Sequence, residues 1–323
     1  MDPRNPDVTK SDVINGFKVL KIEKIDSLKV VFYQLEHEAT GSRMVHLSSD
    51  DDNNVFMVTL ATHPDDSTGI AHILEHGVLE GSQSYPVKIF KNLSGRSLNT
   101  FLNAMTGSDY TAYPFASRNK IDFFNLMDLY NDAVFFPQIK QETFLQEGWR
   151  YEFAQLDNPD TPLEYKGVVF NEMKGAMGNP LRLFHEYLRK AIFPDLTYRH
   201  ASGGDPRNIP DLSYDDWVAF HKKFYHPSNA IFYTYGDIPL ADLTERINSK
   251  VLSRFERAER AKPIPRQKDY PEPVTLRYTY PMSKSENPKK KSFVAVLWKL
   301  IPITDFYENL KLNLLDTVLT GSS

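Results

Sequence analysis

The sequence contains no cysteine. That absence excludes a disulfide framework and every thiolate metal site, so a metal bound by this chain has to use histidine and carboxylate ligands. Long apolar runs are missing too. No stretch approaches the roughly 18 apolar residues that a membrane-spanning helix needs. The start, Met1-Asp2-Pro3-Arg4-Asn5-Pro6-Asp7, has neither the apolar h-region of a secretory signal nor the Arg/Ser-rich amphipathic character of a transit peptide. An excess of positive charge is missing as well: 38 Lys and Arg stand against 42 Asp and Glu for a net charge of −4, and Lys289-Lys290-Lys291 is the one basic block, which leaves no footprint for nucleic acid. These absences set an expectation of no membrane partner, no nucleic-acid partner, and a reducing compartment or an already trimmed mature form.

What is present reads as ordinary globular protein, with 41% hydrophobic and 25% charged residues. A length of 323 residues suggests two domains. Three strand-like segments come first: Phe17 to Ile22, Leu28 to Leu35, and Val55 to Leu60, with the acidic run Asp50 to Asn54 as a solvated turn before the third. Ser97 to Thr106 and Tyr110 to Phe115 flank a Gly107-Ser108-Asp109 turn signal and read as a hairpin. Helices are expected over Ile121 to Phe136, Leu181 to Ile192, Ser213 to Tyr225 and Leu240 to Phe255, with a strand at Ala230 to Tyr235. Early strands in succession followed by helices favour an α+β fold, a sheet packed against helices in two layers. Six prolines between Ala261 and Pro288 mark a linker, and Phe293 to Trp298 (strand) and Asp305 to Leu319 (helix) follow. The expected division is therefore 1–260 as one domain, 261–288 as a Pro-rich linker, and 289–323 as the beginning of a second, truncated domain.

The chemistry concentrates in one helical turn, His72-Ile73-Leu74-Glu75-His76. At about 100° per residue, histidines at i and i+4 lie about 40° apart on one face, and a glutamate at i+3 lies within about 100° of both. Two imidazoles can ligate a divalent metal, and a carboxylate beside the metal's water can take its proton. A catalytic zinc needs a third protein ligand. Glu172, within Lys166 to Met177, is the best candidate: on a helix it shares a face with Val168, Val169 and Met173, where a carboxylate is costly without a compensating cation. Pairing with Lys or Arg at the edge of that stripe is the other reading, and spacing leaves the two open. Glu80 lies about 80° around the helix from His72 and reads as a helix-end residue before Gly81.

The HxxEH order, with Asn171-Glu172 far downstream, resembles the pitrilysin-type inverzincin metallopeptidases. Longer segments resemble their presequence peptidase branch: Gly69 to Gly81, Ser97 to Tyr113, Gln146 to Glu152, Gly167 to Gly175, Ser202 to Pro206 and Phe224 to Ala230. The resemblance implies that His72, His76 and Glu172 bind Zn²⁺ and that Glu75 activates water for attack on a peptide carbonyl. It further implies that the strand around Leu102 to Met105 offers an edge to unfolded, presequence-like peptide substrates, with Asn103 and Ala104 as the contacts. Members of this branch are about three times as long, and their second half adds Arg and Tyr groups near the scissile bond. This chain is accordingly expected to need a C-terminal half of the same protein. Some members carry a further carboxylate about two turns before the third ligand; Glu164 is nearest here and is not assigned. A bacterial cytoplasm, or the mitochondrial matrix for a mature form, is the expected location. A non-catalytic peptide-binding or assembly subunit on the same fold, or an inactive fragment, is the alternative.

Overall fold

The computed structural model describes Asp2, residues 4–88 and residues 95–321. Chain order begins with β1 (Val13–Ile14), β2 (Phe17–Ile25), β3 (Val30–His37), β4 (Arg43–Ser48), β5 (Asn54–Ala61) and α1 (Ile70–Val78). Next come β6 (Asn99–Leu102), β7 (Met105–Thr106), β8 (Tyr110–Ser117), α2 (Lys120–Phe135), α3 (Gln141–Glu147), β9 (Arg150–Phe153) and β10 (Leu163–Lys166). The remaining elements are α4 (Val168–Ala176), α5 (Pro180–Ile192), α6 (Tyr214–Phe224), β11 (Ala230–Gly236), α7 (Leu240–Lys250) and α8 (Phe306–Thr320).

Nine strands form one sheet in the order β1-β2-β3-β4-β11-β5-β8-β6, with β7 also pairing β8. All pairings are antiparallel except β4 with β11. The late strand β11 (Ala230–Gly236) slots between two early ones, β4 and β5, and so ties residues near 230 into a sheet otherwise built from the first 117. Residues along β5 and β11 alternate between buried and half-buried, which is the period-2 signature of a sheet with one face sealed against helices. That face carries an aromatic core: Phe115 sits 5.3 Å from Phe56, 5.3 Å from Phe123 and 5.2 Å from Tyr130 by ring centroid, within the range for favourable edge and tilted packing. The α+β, two-layer expectation holds.

The expected elements recur with shifts of a few residues, and the caps explain their starts. Asn119 accepts a hydrogen bond from the Asp122 amide at α2, and Ser213 accepts from the Asp216 amide at α6, as the Ser-x-x-Asp pattern predicts. The hairpin is present but interrupted, since Asn103 and Ala104 separate β6 from β7. One element fails to appear. Residues 293–298 take no regular secondary structure, and Val294 and Trp298 are 89% and 73% exposed. A lone strand has no partner for its backbone groups, and among the described residues none pairs with this run. Residues 256–305 carry neither helix nor strand, and α8 buries no residue.

Candidate metal centre and cleft

Helix α1 starts at Gly69, whose φ of 73° lies in the left-handed region that glycine adopts at no steric cost. A Cβ there would also meet Gly204 Cα at 2.8 Å and Gly203 O at 2.9 Å, so this start allows the 201–205 loop to press against the helix. The consequence falls on His72. Its Nδ1 lies 2.9 Å from the Gly203 carbonyl oxygen, which can only accept, so Nδ1 carries the proton and the Nε2 lone pair is free. His76 is oriented the same way by a different partner: Nδ1 lies 3.2 Å from Glu147 Oε2. Glu147, at the end of α3, is buried, and its other oxygen accepts from Gln146 Nε2 at 2.6 Å.

Glu172 on α4 completes the group. Its Oε2 lies 3.8 Å from His72 Nε2 and 3.8 Å from His76 Nε2. One ligand atom from each of His72, His76 and Glu172 falls within 4.8 Å of the other two. Zinc held at about 2.0–2.1 Å by such ligands separates them by little more than 3 Å in a tetrahedron, so the spacing needs only a small inward movement to fit. Of the two placements open to Glu172, the structure shows the stripe's edge. Val169 and Met173 are buried, but the Glu172 side chain is 51% exposed and stands at the stripe's edge. Among the described residues it lies beside the two histidines and pairs with no Lys or Arg.

Charge supports the same fit. Glu75, Glu147 and Glu172 surround two imidazoles. Burial pushes the His76 pKa down, but the Glu147 hydrogen bond and the charges of Glu75 and Glu172 overcome it and leave it raised. Burial pushes the Glu147 carboxyl up, while hydrogen bonds from His76 and Gln146 hold it below its usual range. Three carboxylates at a half-buried spot make a site that favours a divalent cation.

Glu75 is buried, on the same helix face, and its Oε2 accepts from Thr106 Oγ1 at 2.6 Å. An open cleft of about 660 Å³ is lined by His72, Glu75, Ala104, Thr106, Met173 and Gly203, together with Arg182, Glu186 and Arg189 of α5. Ala104 thus reaches the cleft. Asn103 is exposed and its main chain is engaged within the domain: its amide donates to Pro114 O at 3.1 Å, and its carbonyl accepts from Tyr130 Oη at 3.1 Å. Glu80 pairs with Lys88, and Glu164 on β10 pairs with Lys166 at 2.8 Å, so neither joins the cluster.

Residues 61–168 match the family model described as Insulinase (Peptidase family M16), and residues 211–323 match that of the Peptidase M16 inactive domain. The mouse "Presequence protease, mitochondrial" is 45% identical over 309 residues, which span 95% of this chain. The chain belongs to peptidase family M16. Among other relatives of this M16 chain, "Protein HypA" of Clostridium perfringens is 41% identical over 317 residues and 97% of the chain. The M16 chain spans only about three-tenths of these relatives: 30% of the mouse protein and 32% of the bacterial one. Its fold is that of pitrilysin, whose crystal structure superposes with a TM-score of 0.60 at 19% identity, covering 77% of this chain and 25% of that one. No helix among the described residues is long and apolar enough to cross a membrane.

Sequence reasoning missed Glu147, Gly203 and Thr106. Glu147 and Gly203 lie in the family-like segments Gln146 to Glu152 and Ser202 to Pro206, but no periodicity relates them to α1. Their partnership with the histidines is purely tertiary.

Proposed function

We propose that this chain is the zinc-binding part of a metalloendopeptidase that degrades unfolded, presequence-like oligopeptides. The observation that carries the proposal is the convergence of His72 Nε2, His76 Nε2 and Glu172 Oε2, with Glu75 on the same helical turn. These three side chains would hold a divalent cation beside the cleft that His72 and Glu75 line. A divalent cation bound there supplies Lewis acidity, polarising the scissile carbonyl and making water easier to deprotonate.

The chain's own groups do the rest. Glu75 takes a proton from the attacking water and delivers it to the departing amine, as a carboxylate in a shielded position is suited to do. His72 and His76 are held in one tautomer by Gly203 and Glu147, so neither ring has to reorient as charge develops. The peptide lies along the β6–β7 edge and pairs with main-chain groups, with Ala104 the contact nearer the cleft and Asn103 a flank. Main-chain pairing reads shape rather than side-chain identity, which suits peptides of varied sequence.

The same reading divides the chain into 1–260 as the zinc-bearing domain, 261–288 as a linker and 289–323 as the beginning of a second, similar domain. Exposed Val294, Trp298 and Ile303, together with the unburied helix α8, are then surfaces awaiting the rest of that domain. Turnover by these 323 residues alone is expected to be poor and to rise when a C-terminal portion is supplied. Relatives include mitochondrial and bacterial proteins. For this chain we favour the bacterial cytoplasm, with the mitochondrial matrix as the other location. The deciding experiment replaces Glu75 by Gln in the full-length enzyme: peptide cleavage should fall by at least a thousandfold while zinc stays bound, and unchanged cleavage would overturn the role of Glu75.

A further inference from the structure

The base and the substrate edge are connected by one side chain. Thr106 occupies the end of β7, two residues beyond Ala104, and pairs across the ladder with Thr111. Its hydroxyl donates to Glu75 Oε2 at 2.6 Å, the short range expected for a charge-assisted O–H···O⁻ bond. Oε1 of Glu75 takes no hydrogen bond among the described residues, and Glu75 lines the cleft. One carboxylate oxygen is thus tethered while the other stays available to water.

The tether itself is firmly seated. Thr111, opposite Thr106, exchanges a hydroxyl hydrogen bond with Thr62 at 2.8 Å, and both are fully buried. Beneath α1, Tyr113 and Tyr225 form a second buried hydroxyl pair at 2.8 Å. A β-branched residue on a strand has little freedom about χ1, so Thr106 Oγ1 is held where the backbone puts it. A glutamate on a helix has three rotatable bonds and no such restraint of its own.

We propose that Thr106 is the positioning residue for Glu75: the strand that receives the peptide also sets the angle of the carboxylate that activates water. The inference rests on Glu75 being the base. It adds that the base is aligned by the substrate-binding strand rather than by the metal-binding helix. A peptide added along β6–β7 therefore meets a strand that already holds the base in place.

The test compares Thr106→Val, which keeps the branched shape and deletes the donor, with Thr106→Ser, which restores the hydroxyl, in the zinc-loaded full-length enzyme. Expected for T106V are a kcat lower by roughly ten- to a hundredfold, the loss associated with one charge-assisted hydrogen bond in a shielded site, and KM and zinc stoichiometry within twofold of wild type. T106S should recover kcat to within about threefold. A crystal structure of T106V should show the Glu75 side chain in a different or mixed rotamer, a readout independent of turnover. Wild-type kcat in T106V, an unmoved Glu75, or zinc loss in parallel with activity would each overturn the proposal. If T106V does not fold, Thr106→Ala is judged by the same criteria. Failure of the underlying reading is distinguishable: it shows as turnover surviving Glu75→Gln, whatever Thr106 does.

Discussion

Single residues define the centre, and the least conspicuous of them is Glu147. It is buried, its charge is spent on His76 and Gln146, and it touches nothing in the cleft. A carboxylate behind a ligating imidazole fixes the ring and raises its basicity. Glu147→Gln should therefore weaken zinc binding by roughly ten- to a hundredfold, measured by competition with a chelator, while the fold persists. Unchanged affinity would show that His76 needs no such support. At this scale the sequence was informative about chemistry and silent about neighbours. His72, Glu75 and His76 share one turn, so helical geometry alone relates them. Glu172 came from a family-like segment, because 96 residues of chain separate it from His76 and no local rule spans that gap. Spacing left its burial open, since an apolar stripe does not reveal where its edge meets the histidines.

At the scale of elements, the placement of α1 against α6 decides whether the histidines face α4. Gly77 follows His76, and a Cβ there would meet Trp217 Cζ2 at 2.3 Å. The indole is fully buried and cannot retreat. Gly77→Ala should destabilise the chain by about 1–3 kcal/mol through overpacking, despite alanine's better helix propensity, as read from the midpoint of urea unfolding. A neutral or stabilising result would mean that α1 and α6 separate easily. Helices such as α2 and α6 were legible because apolar spacing runs along them and a side-chain cap marks their start, Asn119 in one and Ser213 in the other. The 293–298 segment was not, because an apolar run gives a strand only when another strand supplies hydrogen-bond partners. The position of β11 between β4 and β5 was equally out of reach, being a property of the whole sheet.

For the whole molecule, stability should depend on pH through two histidines remote from the metal centre. His46 is buried in the sheet; burial pushes its pKa down to about 4, with the Asp2 charge raising and the Arg4 charge lowering it. Burial likewise pushes His221, on α6, down to about 4. Both are neutral in the folded state and take up protons near pH 6.5 when unfolded. Their contribution is therefore fully present above about pH 6.5 and is lost as the pH falls towards 4, at up to about 1.4 kcal/mol per pH unit for each group. Urea unfolding midpoints should drop between pH 7 and pH 5, and His46→Gln should flatten part of that slope. A flat profile in the wild type would contradict the burial of these rings.

The proposed chemistry requires a cation at His72, His76 and Glu172, and metal content reports it directly. Mass spectrometry of freshly purified chain should find one zinc per molecule, lost in His72→Ala while the unfolding transition remains. Wild-type protein without zinc, or zinc retained in full by His72→Ala, would contradict the account.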